Sequence, residues 1–302
     1  MAFTAADVPS QQGKCFIVTG ANAGLGFSAS AVLAAHGARV ILACRSQERA
    51  EAAMARIRAA TPGADLAFLP LDQADLASVR SAAEQVRAEP RIDALVNNAG
   101  VMYPPLVRTA QGFEPQFGVN HLGTFALTAL LLPKLAETPG ARVVITASLA
   151  HRLGKIAWDD LDAHQSYNKA QRYADSKLAN LLFLYELDRR LRAAGSPVTA
   201  VACHPGVAAT ELGRHSRGFN VFVRFFGWML NTADMGAWPT LQAATDPGIA
   251  PGGYYGPQGM GEMRDPSGPA KRKKTATDPE AARRLWDVSV AKTGIDPGLP
   301  SA

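Results

Sequence analysis

A phenol and an ammonium stand four residues apart in Tyr173-Ala174-Asp175-Ser176-Lys177, one helical turn and therefore on one helix face. A phenol titrates near pH ~10, too high for ready proton exchange at neutrality. A neighbouring ammonium favours the ionised form and lowers that value. Carbonyl reduction needs hydride at carbon and a proton at the developing oxyanion, and Tyr173 with Lys177 suits the second task. Ser148 follows an apolar strand-like run over 142–147. Its hydroxyl falls at a strand's carboxyl end, where open α/β sheets bind ligands, and its expected part is to hold the substrate oxygen. Tyr167 is a rival phenol, but Gln171 rather than a lysine follows it by four residues. Each of these residues alone would be unremarkable on a helix face or after a strand.

A second cluster points to a nucleotide. Thr19-Gly20-Ala21-Asn22-Ala23-Gly24-Leu25-Gly26 follows the apolar run 15–18 and opens onto an Ala-rich helical stretch. Glycines where a strand hands over to a helix let backbone N–H groups approach a pyrophosphate, and the helix dipole favours the anion. Gly20 makes the turn, Asn22 ties the loop, and Ala23, Gly24, Leu25 and Gly26 form the helix entry. The next strand ends Ala43-Cys44-Arg45, with no acid for ribose hydroxyls and a guanidinium able to take a 2′-phosphate. NADP(H) is therefore the preferred cofactor and NAD(H) the alternative. The alternative is that Arg45 only opens the polar face of the following helix. Asp72 and Gln73 end the third strand, where Asp72 either accepts from an adenine amino group or starts a helix.

These residues need a scaffold that brings distant strand ends together. Strand-like runs at 14–19, 39–44, 66–69, 94–97, 142–147, 198–203 and 253–255 alternate with helical stretches at 24–36, 46–60, 76–88, 113–132, 168–194 and 233–245. That alternation reads as an α/β, doubly wound (Rossmann) parallel seven-stranded sheet with helices on both faces. The expectation is a single domain over 1–302, in which 206–278 forms a small C-terminal substrate lobe. The chain has 302 residues, 47% hydrophobic and 19% charged, with a net charge of +5 spread over many segments. Such a composition is globular and not that of a nucleic-acid binder. The basic run Lys271-Arg272-Lys273-Lys274 reads as a solvated loop. Cys15, Cys44 and Cys203 lack metal-ligand spacing, and with a polar N-terminus and no transmembrane segment the expected location is cytoplasmic. His151, His204 and His215 have no carboxylate or cysteine at ligand spacing, so no metal is expected.

Taken in order, the motifs resemble the short-chain dehydrogenases/reductases over most of the chain. The resemblance rests on Thr19-Gly20-x-x-x-Gly24-x-Gly26, Asn97-Asn98-Ala99-Gly100, Asn120 in Val119-Asn120-His121-Leu122-Gly123, Ser148, Tyr173-x-x-x-Lys177, and Pro205-Gly206. It implies Tyr173 as acid/base and Lys177 as binder of the nicotinamide ribose. Ser148 would orient the carbonyl and Asn120 hold a relay water. Asn98, Ala99 and Gly100 would shape the cofactor wall, and Pro205, Gly206, Ala208 and Thr210 the carboxamide and phosphate contacts. Within the family, the retinol dehydrogenase-like branch and its soluble bacterial relatives are most similar. Ser148-Leu149-Ala150-His151, Ser176-Lys177-Leu178-Ala179-Asn180 and Arg283-Arg284-Leu285-Trp286-Asp287-Val288-Ser289 carry that narrower likeness, together with the long interval between Ser148 and Tyr173. Homo-oligomers paired through the Tyr/Lys helix are a further implication.

The function so read is interconversion of a lipophilic aldehyde or ketone with its alcohol, using NADP(H). Phe219, Phe222, Phe225, Phe226, Trp228 and Met229 suggest a lid over an apolar pocket. The alternative is a catalytically silent NAD(P)H-binding sensor or scaffold, since fold alone does not imply chemistry. The intact set Asn120, Ser148, Tyr173 and Lys177 argues against it, because a sensor needs only the cofactor half of the site.

Overall fold

A computed structural model describes residues 2–207 and 231–301. The strands are β1 (Cys15–Thr19), β2 (Arg39–Cys44), β3 (Leu66–Pro70), β4 (Ala94–Asn97), β5 (Arg142–Thr146), β6 (Thr199–Cys203), β7 (Tyr254–Gly259) and β8 (Arg264–Pro269). They form one sheet in the order β3-β2-β1-β4-β5-β6-β7-β8. All pairings are parallel except the last, β7 with β8. The order reverses at β1, which lies between β2 and β4, so the chain leaves these two neighbours in opposite directions and opens a crevice at their carboxyl ends.

Side chains that alternate along each strand build a core on either face. Val18, Val40, Leu42 and Val96 pack toward α1 (Gly24–Ala35), α2 (Gln47–Ala60) and α7 (Ala233–Thr245). Ile17, Ile41, Leu95 and Val143 pack toward α3 (Leu76–Val86), α5 (Thr124–Ala136), α6 (Lys169–Ala193) and α8 (Pro279–Thr293). Both faces are covered, which is why these strands read as continuous apolar runs rather than alternating ones.

Three elements differ from the sequence expectation. The sheet has eight strands, not seven: the run expected at 253–255 extends to Gly259, turns, and returns as β8. Pro257, Pro266 and Pro269 hid this hairpin, yet proline is tolerated at a sheet edge. The helix expected over 113–132 is interrupted. Glu114 caps a single turn, α4 (Pro115–Phe117), and a π-helical stretch Gly118–Gly123 precedes α5. A Cβ at Gly118 would lie 2.6 Å from Thr109, and one at Gly123 2.6 Å from the Gln73 carbonyl, so both glycines permit close approach here. Finally, α8 was not foreseen. Asp278 caps it by accepting from the Glu280 and Ala281 N–H groups, Pro279 occupies its first turn, and Gly294 ends it at φ +63°. Its Trp286 packs edge-on against Phe125 at 5.3 Å between ring centroids.

Candidate active site

The carboxyl ends of β1, β4, β5 and β6 open into one cleft of about 560 Å³. It is walled by Gly20, Asn22, Ala23, Gly24 and Leu25 on one side, Asn98, Ala99 and Gly100 along the middle, and Ser148, Tyr173, Lys177, Pro205 and Gly206 at the far end. Most of the sequence candidates therefore meet, although they come from five separate segments.

The glycine turn is shaped for close backbone approach. Gly20 and Gly24 have φ of +67° and +53°. A Cβ on Gly26 would come within 2.5 Å of the Gly20 carbonyl and 2.6 Å of Asn98 Nδ2. Ala23 is the N-cap of α1 and has no side chain to cap the first-turn N–H groups, which leaves them for an anion. Thr19 locks the turn to the β4 loop. Its hydroxyl accepts from the Asn98 and Ala99 N–H groups at 3.0 and 2.8 Å, and Asn98 Nδ2 donates to its carbonyl at 2.9 Å. Asn98 thus braces the cradle as well as lining it.

At the far end, burial dominates the electrostatics. Tyr173 is buried and its phenol is pushed up to about 12, chiefly by burial; a hydrogen bond with the Ser148 side chain pulls the other way. Lys177 lies with Nζ 5.7 Å from the Tyr173 ring centroid and donates to the Thr146 carbonyl at 3.1 Å. Burial pushes this ammonium down to about 8. The direction of the Tyr173 shift is set by burial, and the Lys177 ammonium bonds to the Thr146 carbonyl instead of the phenol. Tyr173 is then a neutral proton donor at pH 7. Ser148 caps the short turn Leu149–Leu153 by accepting from the Ala150 N–H at 3.2 Å. Thr146, missed in the sequence, also accepts from Asn180 Nδ2 at 3.2 Å and so anchors both helix side chains.

Asn120 sits in the π-helical stretch, fully buried behind the cleft. Its Oδ1 accepts from the Val101 N–H at 2.7 Å, and its Nδ2 donates to the Val101 carbonyl and the Ser176 hydroxyl, both at 3.0 Å. A Cβ on Gly100 would lie 3.1 Å from Asn120 Oδ1 and 3.6 Å from Lys177 Nζ, so this glycine brings the β4 loop against both.

Other candidates lie apart. Arg45 is exposed and outside the cleft lining; Arg49, one turn further on, lines it and also an adjoining cavity of about 530 Å³ with Arg56 and Phe27. The Asp72 side chain accepts from the Ala74 N–H at 2.9 Å, and it is Asp75, not Asp72, that caps α3. Gln73 is buried and donates to Thr124 Oγ1 at 3.2 Å. Ala208, Thr210, His215 and the aromatic segment 219–230 lie outside the described residues. Tyr167 does not reach the reacting end; it donates to the Pro104 carbonyl at 2.8 Å. His151 and His204 are buried and hydrogen-bonded to the Ser148 carbonyl and the Gly206 N–H. Among the described residues no cluster has the makings of a metal site, and no helix is long and apolar enough to cross a membrane.

A crevice at the sheet's switch point, lined by a glycine cradle and by Ser148, Tyr173 and Lys177, defines a dinucleotide-dependent oxidoreductase of the short-chain type. The short chain dehydrogenase family model matches residues 14–219, and the chain belongs to that family. Retinol dehydrogenase 12 of Homo sapiens is 41% identical over 291 residues, spanning 94% of this chain and 87% of that relative. An uncharacterized protein of Mycobacterium paratuberculosis of known structure is 39% identical, with a TM-score of 0.83, covering 99% of this chain and all of that one. A short chain dehydrogenase from Burkholderia cenocepacia, solved in complex with NADP, is 26% identical with a TM-score of 0.64, covering 81% of this chain and 96% of that one. The family binds NAD(P).

Proposed function

We propose that this protein is an NADP(H)-dependent oxidoreductase that interconverts a lipophilic aldehyde or ketone and its alcohol, with Tyr173 as acid/base. The observation that carries the reading is that the buried Tyr173 phenol, Ser148 and Lys177 line the same end of the cleft that also holds the glycine cradle. Gly20, Asn22, Ala23, Gly24, Leu25 and Gly26 would hold the pyrophosphate, Asn98, Ala99 and Gly100 the wall, and Lys177 with Pro205 and Gly206 the nicotinamide end. The bound nucleotide would supply or receive the hydride. In the reducing direction Ser148 orients the carbonyl oxygen and the neutral Tyr173 gives it a proton. Lys177 keeps a positive charge near the resulting phenolate, and Asn120 braces the loop through Val101.

NADP(H) preference is supported by Arg49 on the cleft wall, with Arg45 nearby in sequence and no acid at the end of β2. The NADP complex of the Burkholderia relative is consistent with it. A lipophilic substrate is supported by the apolar cleft residues Val101, Met102, Leu149 and Val207, and by the retinol named for the human relative. Residues 206–278 are assigned to the substrate side. The free, buried thiols Cys15, Cys44 and Cys203 favour a reducing, cytoplasmic setting. The test is oxidation of NADPH and NADH against a panel of apolar aldehydes and ketones, with Tyr173→Phe alongside. Turnover should fall at least 10²-fold in the variant, in line with loss of a positioned general acid, while NADPH still binds. Comparable turnover by Tyr173→Phe sinks the assignment.

A further inference from the structure

The cleft wall beside Tyr173 contains a backbone strain that no local turn chemistry explains. Tyr103 has φ +58°, a left-handed conformation that is an outlier for a bulky residue and persists only where surroundings impose it. Two side chains impose it here. Gln116, fully buried, accepts from the Tyr103 N–H at 3.0 Å and donates to the Lys169 carbonyl at 2.9 Å. Tyr167 donates to the carbonyl of the next residue, Pro104, at 2.8 Å, and Gln116 Nε2 reaches Tyr167 Oη at 3.5 Å. This clamp joins the loop after β4 to the segment that enters α6, the helix carrying Tyr173. Its result is a Tyr103 ring held perpendicular to the Tyr173 ring, 81° between planes and 5.6 Å between centroids, on the wall of the cleft.

We propose that Tyr103 is a specificity-determining residue, an aromatic wall beside the reacting oxygen that favours substrates with a flat π system next to the carbonyl, with Gln116 and Tyr167 as its positioning residues. The inference rests on Tyr173 being the acid/base. A carbonyl oxygen bonded to the Tyr173 hydroxyl brings its flanking group within reach of a ring this close. Aliphatic neighbours such as Met102 and Leu149 accept flat and puckered groups alike, whereas an aromatic ring gains an additional face or edge contact with a flat one. That gain corresponds to a preference of about two- to tenfold over a saturated ring of the same size.

The test compares 4-tert-butylbenzyl alcohol with 4-tert-butylcyclohexylmethanol, binding to protein saturated with NADPH, where the alcohol has no oxidised cofactor to react with. Calorimetric titration of the wild type should give the tighter constant for the aryl alcohol by about two- to tenfold. Tyr103→Phe should keep that ratio, and Tyr103→Leu should reduce it to near one. Tyr103→Gly, which removes ring and strain together, should do the same and serves if the Leu variant does not fold. Tyr167→Phe, with the clamp to Pro104 cut, should lose part of the preference while binding NADPH as before, an effect a purely structural role would not show in the ratio. A wild-type ratio near one, or a ratio unchanged in the Leu and Gly variants, overturns the proposal. Turnover of the matching aryl aldehyde is measured separately. Failure there with a Tyr103-dependent binding ratio refutes the catalytic reading and leaves the aromatic wall standing.

Discussion

Lys177 is held at a cost to stability, and replacing it measures that cost. Burial lowers its ammonium from 10.5 to about 8. A base whose folded value is depressed destabilises the fold at all pH values below that folded value. The penalty then fades as pH rises toward the unfolded value, because the unfolded chain loses its proton too. A fall of this size corresponds to roughly 3 kcal/mol at pH 7, at about 1.36 kcal/mol per unit. Lys177→Met keeps the length and removes the charge. It forfeits the bond to the Thr146 carbonyl, a loss of about 1 kcal/mol, although Asn180 still satisfies that carbonyl. The net expectation is a protein about 2 kcal/mol more stable than wild type at pH 7.

The assay is urea unfolding of both proteins without nucleotide at pH 7 and at pH 9.5, with midpoints compared at unchanged slope. The advantage of the variant should shrink at the higher pH, by about 1 to 2 kcal/mol. Carbonyl reduction by the same variant should collapse, so stability and activity move in opposite directions, as when a strained charge serves function. A variant less stable at pH 7, or an advantage that grows with pH, refutes the claim that Lys177 is a desolvated ammonium.

The same titration predicts that wild-type kcat/KM for reduction is level through neutrality and falls above about pH 8 as Lys177 loses its proton, read from a pH–rate profile at saturating NADPH. Gly26→Ala places a Cβ 2.5 Å from the Gly20 carbonyl, which cannot yield without distorting the cradle. The urea midpoint should drop by the equivalent of about 1 to 3 kcal/mol and NADPH binding should weaken; an unchanged midpoint would show that the turn is not close-packed. Arg49→Glu should lower the ratio of NADPH to NADH efficiency by about tenfold or more, the value of one charge-assisted hydrogen bond to phosphate, and Arg45→Asp by less. A larger effect at Arg45 restores the sequence-based assignment.

The line between what the sequence disclosed and what it withheld follows the range of the forces involved. The turn at Gly20 to Gly26 and the one-turn spacing of Tyr173 and Lys177 are local, so residue type and interval were enough to find them. Strand ends were legible because the core strands are apolar on both faces. The β7–β8 hairpin escaped because an edge pair tolerates prolines that would disqualify a central strand. The α8 helix carried readable signals in Asp278-Pro279 at its start and Gly294 at its end, and these could have found it.

What spacing cannot supply is the identity of a neighbour across a crossover. Lys177 stands one turn from Tyr173, yet its hydrogen bond goes to Thr146, on a strand 31 residues earlier. Burial meanwhile pushes the Tyr173 phenol up, with only the Ser148 side chain pulling the other way. No motif marks Tyr103, whose backbone is held by Gln116 and, through Pro104, by Tyr167, from two other segments. The residues that do chemistry are written in short motifs, whereas the terms that set their protonation and selectivity come from contacts the topology alone creates. Substitutions at Gln116 and Tyr167 should therefore tune this site without touching any motif residue.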